Sequence, residues 1–359
     1  MATTFERVGD EIAETPATGL SDPKLSIISP RADALLLWGS PVIALVFAWA
    51  WVRIAGMLPS AEGDRAITGL VALVAILTYA HLVAVVPRAY LNREVFNTHR
   101  GRLTIGPLVL ISTMLISTPV FVACLIAAIM WDVHHSAMQT FGLSRIYDMK
   151  AGNDAHELRR TDMLLNGAMY IGPLAAGAAL VAQFHPLQPI GEYGWQALTQ
   201  VPGVVAGWAG TIRVIAITVS LAIVALATVN YARAIRSGSY RLPQHKAVLI
   251  ATTGTVSLCM WLFTPPFLAY VISNIFHAMQ YFAIVWLKEG RRIAGFGRGG
   301  ERDASSLAFI TFFAVCFAFG TVYWAESGPY RLILAPFIAC SLLHFWFDGF
   351  VWSVRRKQV

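Results

Sequence analysis

The sequence predicts an all-α polytopic membrane protein of about ten transmembrane helices, with both termini cytoplasmic. Three observations predict it. Hydrophobic residues make up 57% of the 359 positions and charged ones only 13%, far from the balance of a soluble domain. Runs of about 20 apolar residues, the length that crosses a bilayer as helix, recur along nearly the whole chain. Lys and Arg gather in every second connection between those runs, the bias expected of cytoplasmic loops.

Residues 1–32 are polar and lack the charged-then-apolar pattern of a cleaved signal, so they read as a solvated cytoplasmic tail. Residues 33–359 then form a single helical membrane domain. Six spans stand out, at 35–57, 67–86, 163–184, 214–232, 307–324 and 332–352. Two further stretches, 103–143 and 247–286, are each about twice the length one crossing needs, so each is a pair of helices. Both pairs carry a proline signal near the middle, Ser117-Thr118-Pro119 and Thr264-Pro265-Pro266, where a helix ends or kinks.

The charges support ten. With the N-terminus inside, 23 of the 27 Lys and Arg fall in inner segments, leaving only Arg53, Arg65, Arg213 and Arg331 toward the outside. The net charge of +7 is accounted for by this bias and implies no nucleic-acid partner. The pattern is that of a multi-pass protein of the bacterial inner (plasma) membrane type. Cys124, Cys259, Cys316 and Cys340 lie in apolar runs at no metal-binding spacing and read as small buried hydrophobes.

Nine histidines divide by position on this map. His99, His156 and His245 fall in inner loops and His185 in an outer one, where solvated side chains are the default. His81, His134, His135, His277 and His344 lie on four helices that all run from outside to inside. Each is about 7 to 11 residues, roughly 10 to 16 Å, before the first basic residue of its inner exit (Arg88, Arg145, Lys288 or Arg355). Ionisable groups at membrane depth are costly and normally face the bundle interior, so a shared level lets them converge. Imidazole is a common ligand of iron, copper and zinc, and the five histidines with Asp348 are read as metal ligands and as the catalytic set. Asp132, Gln139, Asn274 and Gln280 stand three or four residues from these histidines, on the same helix faces, where they can orient an imidazole. The alternative is that each histidine hydrogen-bonds separately to a neighbouring helix.

In having His134-His135 at the inner end of a span the chain resembles the membrane fatty-acid desaturases and hydroxylases, although Trp131 stands where their HxxHH box begins. In dispersing a few histidines over several helices it resembles the bacterial membrane carotene-cleaving dioxygenases. Both resemblances imply non-haem iron, mono- or dinuclear, and dioxygen.

The function expected is a membrane-embedded oxidoreductase that hydroxylates, desaturates or cleaves a hydrophobic or lipid substrate near the cytoplasmic side, fed by a cytoplasmic electron donor. Copper or haem b are alternative cofactors. The competing functions are a haem-binding electron-transfer protein, with two of the histidines as axial ligands, and a histidine-dependent proton or ion transporter. No phosphate loop, dinucleotide fingerprint, serine elbow or HExxH motif occurs.

Overall fold

In an apolar surrounding every backbone N–H and C=O needs an internal partner, and a helix supplies them all within one segment. The computed structural model follows this rule. The residues it describes are 19–188, 190–191, 194–296, 302–303, 305–326 and 331–352, and no strand occurs among them. Its long helices are α1 (Ser40–Ala55), α2 (Ser60–Val83), α3 (Arg93–Ile116), α4 (Thr118–Lys150), α5 (Arg159–Ala176), α6 (Val201–Arg236), α7 (Gln244–Phe263), α8 (Pro266–Gly295), α9 (Ser306–Glu326) and α10 (Arg331–Val351).

Both proline-marked turns fall where the sequence puts them. Ser117 is extended between α3 and α4, and its hydroxyl accepts from the Val120 N–H as the cap of α4. Thr264 is extended between α7 and α8, and Pro266 opens α8 at a position where its missing N–H costs nothing.

Seven helices are long and apolar enough to cross a membrane, or up to nine if two bent pairs each count as one span. Three of the expected spans depart from a single straight membrane-length helix. Residues 30–37 join α1 at a 44° bend. α5 continues into a short helical stretch at 179–187 only through a 96° bend. There Gly177 is extended and approaches α7 so closely that a Cβ would stand 2.0 Å from the Trp261 carbonyl oxygen. α3 falls short because its first ten residues carry Arg93, Glu94, Arg100 and Arg102, and its helical geometry breaks at His99 (φ −118, ψ 16). The remaining apolar part, 103–116, is about 21 Å long against a hydrocarbon core of about 30 Å.

α8 is the central helix, with 78% of its membrane-length core buried; α6 is the rim, with 6%. α8 packs on α1 and α2, α2 on α9, and α10 on α2, α3 and α4. α9 comes close to α2 at Gly320, where a Cβ would lie 2.1 Å from the Ile76 carbonyl oxygen of α2.

The polar tail is solvated only in part. Residues 1–18 lie outside the described residues, but Leu25, Ser26 and Ile27 are buried. The Asp33 carboxylate holds them, accepting from the Ile27 and Ile28 N–H groups (2.7 and 2.8 Å) and from the Tyr147 hydroxyl of α4 (2.8 Å).

Several inner-segment charges that the sequence reads as topology markers are buried partners instead. Arg145 donates to Asp148 (2.6 Å) and Asp162 (2.7 Å), and Lys246 donates to the same two carboxylates (2.6 and 2.8 Å). Tyr240 donates to Asp148 (2.5 Å) and Tyr231 to Asp162. Burial, with the Asp148 carboxylate beside it, raises the Tyr240 hydroxyl above its ordinary pKa and keeps it a donor. Two cations and two anions thus close a neutral group that ties α4, α5, α6 and α7 together. A second group joins Arg88 and Arg292 to the buried Glu289 (2.7 and 2.8 Å). Arg298 and residues 355–357, also counted as inner charges, lie outside the described residues.

Removing one member of such a group leaves a buried charge unpaired, at about 3–5 kcal/mol. Lys246→Met is therefore expected to lower the unfolding midpoint of the detergent-solubilised protein by many degrees. An unchanged midpoint would contradict the role given to this network.

Candidate metal centre

Four of the five predicted histidines meet inside the bundle. His81 comes from α2, His135 from α4, His277 from α8 and His344 from α10, and each is at most 4% exposed. Their rings form a closed quadrilateral: His81 to His277 is 4.9 Å between centroids, His277 to His135 5.0 Å, His135 to His344 4.8 Å and His344 to His81 5.2 Å. Neighbouring rings meet edge to face, at 71° to 90°. The Nε2 atoms of His135 and His344 are 3.1 Å apart. Asp348, one turn beyond His344 on α10, brings Oδ2 to 3.6 Å from His344 Nε2 and 3.8 Å from His135 Nε2.

One ligand atom per residue lies within 4.8 Å of the others in each of two groups, His81 with His277 and His344, and His135 with His344 and Asp348. Ligands about 2.1 Å from one ion and opposite each other stand about 4.2 Å apart, so only a slight contraction separates these groups from coordination distance.

The hydrogen bonds argue the same way. A carbonyl can only accept, so the 3.1 Å contact of His344 Nδ1 with the Leu82 carbonyl puts the proton on Nδ1 and leaves Nε2 as a lone pair facing the cluster. His81 and His277 are buried with neither ring nitrogen hydrogen-bonded. The carbonyls of Leu77 and Thr78 stand one turn back from His81, but neither closes a hydrogen bond with it. A buried polar atom without a partner costs about 1–3 kcal/mol, and each of these two adjacent neutral rings has one nitrogen lone pair that a metal ion could take. The residues present fit a metal ion.

His134 is apart from this group. One residue along α4 turns a side chain by about 100°, and its half-buried ring rests on Trp131 (4.7 Å between centroids) rather than on the other imidazoles. The four polar companions also serve other partners. Gln139 donates to the His277 backbone carbonyl (3.0 Å) and to Gln280 Oε1 (2.8 Å), and Gln280 donates to the Leu37 carbonyl (2.7 Å). Asn274 accepts from Thr78 (3.0 Å) and donates to the Tyr270 carbonyl (3.0 Å). Asp132 stands within electrostatic reach of Tyr270. None of them orients an imidazole ring; Gln139 and Gln280 hold the backbone of α8 beside His277.

The groups that orient the site are Tyr281 and Trp352, which donate to Asp348 Oδ1 at 2.9 and 3.1 Å and leave Oδ2 toward the histidines. The Tyr281 ring also packs on His344 (4.6 Å). A spacing signal existed: Tyr281 is four residues after His277, and Trp352 four after Asp348. Among the histidines set aside, His156 and His185 are exposed as expected, while His99 and His245 are buried. His99 packs on Phe350 (4.5 Å), and His245 stacks on Tyr147 (5.2 Å) with Nε2 3.4 Å from Ser26 Oγ. These are packed helix ends rather than solvated loops.

Compared with protein-family models, curated proteins and solved structures, the chain matches none.

His277→Ala or His344→Ala is expected to strip bound metal while the helical circular dichroism stays unchanged, whereas His134→Ala keeps the metal. Tyr281→Phe, which removes one donor to Asp348, is expected to weaken metal binding about 10- to 100-fold. Metal retained in both the His277 and His344 variants would contradict the assignment of ligands.

Proposed function

We propose that the chain is a membrane oxidoreductase that holds one non-haem iron and uses dioxygen to hydroxylate, desaturate or cleave a hydrophobic substrate. The observation that carries this reading is the orphaned nitrogens of His81 and His277, set against His135, His344 and Asp348 in a water-poor interior. Imidazoles with one carboxylate suit iron that activates dioxygen. The four cysteines are free and none joins the cluster. His344 has only Nε2 to offer, because Nδ1 donates to Leu82, so both ligand groups draw on the same atom and one ion serves them.

Bound there, iron supplies the activation of dioxygen. The protein's own residues do the rest. Leu82 sets the tautomer of His344, Tyr281 and Trp352 hold Asp348 in place, and the packed rings exclude water. A mostly apolar groove of about 600 Å³ lies between α3 and α10, lined by Ile105, Val109, Leu342, Leu343 and Trp346, with Arg102 and Thr113 as its polar side chains. It runs on the helix that carries His344 and Asp348, which suits a lipidic substrate arriving from the bilayer. The ring spacing of about 5 Å favours a bare ion over haem, since a macrocycle between any two of these imidazoles would displace the other two.

The topology that goes with this reading has ten crossings and both termini on the cytoplasmic face of a bacterial inner membrane. α3 then starts at the polar interface and reaches the outer turn at Ser117. The metal lies nearer the cytoplasmic ends of α2, α4, α8 and α10, within reach of a cytoplasmic electron donor.

Elemental analysis and an absorbance spectrum of detergent-purified protein test the proposal. About one equivalent of iron without a Soret band is the expected result. A Soret band, or protein that binds no metal on reconstitution, would overturn it.

A further inference from the structure

An open cleft of about 720 Å³ lies between the start of α5 and the end of α6. Arg159 and Arg160 enter it from the first turn of α5, Arg233 from the last turn of α6, and His156 from the preceding turn. The carboxylate that lines it, Glu157, accepts from Ser239 Oγ (3.2 Å). None of the three arginines makes an ion pair among the described residues. Three positive charges and one carboxylate therefore line an open cleft large enough to admit a ligand.

The walls are fixed from behind. Arg145, part of the neutral charge group, donates to the backbone carbonyls of Asp154 (3.2 Å), Ala155 (3.0 Å) and Glu157 (3.0 Å), which pins the turn that leads into α5. Asn230 of α6 donates to Thr161 of α5 (3.1 Å) and holds the two helices together at the floor of the cleft. The Arg159 guanidinium lies over the Phe141 ring of α4 (5.5 Å). These contacts fix the backbone around the cleft, while Arg159, Arg160 and Arg233 stand exposed on its walls.

One to two turns further along the same helices the surface becomes apolar. Met163 and Leu164 on α5, and Leu226 and Val229 on α6, are exposed. A phosphate pairs well with guanidinium groups, and aliphatic chains pair well with that flank. Free phosphate would use only the first of these features, whereas a phospholipid uses both.

We propose that this cleft binds the phosphate headgroup of an anionic phospholipid, with its acyl chains lying along the exposed flank of α5 and α6. The site is independent of the metal reading.

The full-length protein is purified in detergent and offered phosphatidylglycerol or phosphatidylcholine with the same acyl chains, and lipid retention is read by native mass spectrometry. The protein retains phosphatidylglycerol in preference. The triple variant R159Q/R160Q/R233Q loses that retention about tenfold or more, as expected for three removed guanidinium groups. The control R236Q/R241Q, two exposed arginines outside the cleft, keeps it. If the triple variant does not fold, the single variants R160Q and R233Q each show a partial loss. Four results would overturn the proposal: equal retention of the two lipids, undiminished retention in the cleft variants, an equal loss in the control variant, or complete displacement of phosphatidylglycerol by millimolar inorganic phosphate, which would mark a site for the free ion.

Discussion

A polar side chain at membrane depth has no water to fall back on, so it must find a partner within the bundle. That constraint organises this protein. Where α4 and α6 end and α5 and α7 begin it is met: Arg145, Lys246, Asp148 and Asp162 neutralise one another, with Tyr231 and Tyr240 adding donors. Arg88, Arg292 and Glu289 do the same between α8 and the segment after α2. At the four-histidine cluster the constraint is met only in part, because His81 and His277 have no hydrogen-bond partner. Single unpartnered atoms also occur elsewhere, at Trp261 and Thr253 for instance, but His81 and His277 are adjacent rings that each lack both partners, which is why the metal reading is placed there.

The architecture explains how the cluster is held. α8 is buried on nearly every side and places His277 among α2, α4 and α10, the helices that bring His81, His135 and His344 to the same level. The proline-marked turns at Ser117 and Thr264 set α4 and α8 as the second arms of two hairpins. Gln139 and Gln280 then lock α4 to α8 and both to the turn at Leu37. These ties run through backbone and packing and leave the rings of His81 and His277 without hydrogen-bond partners.

Much of this was legible in the sequence, for identifiable reasons. Hydropathy and the proline signals place both turns correctly because they depend on local chain chemistry. The common depth of the histidines is legible because it needs only a count of residues to the inner exits. Which of His134 and His135 points inward is not legible from depth, since adjacent residues share a level and differ in rotation. The bend at Gly177 depends on a backbone contact with Trp261 that lies far away in sequence. The positive-inside rule leads one to expect Lys and Arg at inner helix ends but treats them as solvated, whereas Arg145, Lys246 and Arg88 are buried. Their burial could be anticipated only from Asp148 three residues after Arg145 and from acids on other helices, whose approach is a tertiary fact.

X-ray absorption at the metal edge of the iron-loaded protein tests the central claim most directly. The account predicts three or four imidazole ligands with the outer-shell scattering typical of histidine, completed by oxygen, at about 2.0–2.2 Å. A sulfur shell, or an ion surrounded by oxygen alone without imidazole scattering, would contradict it.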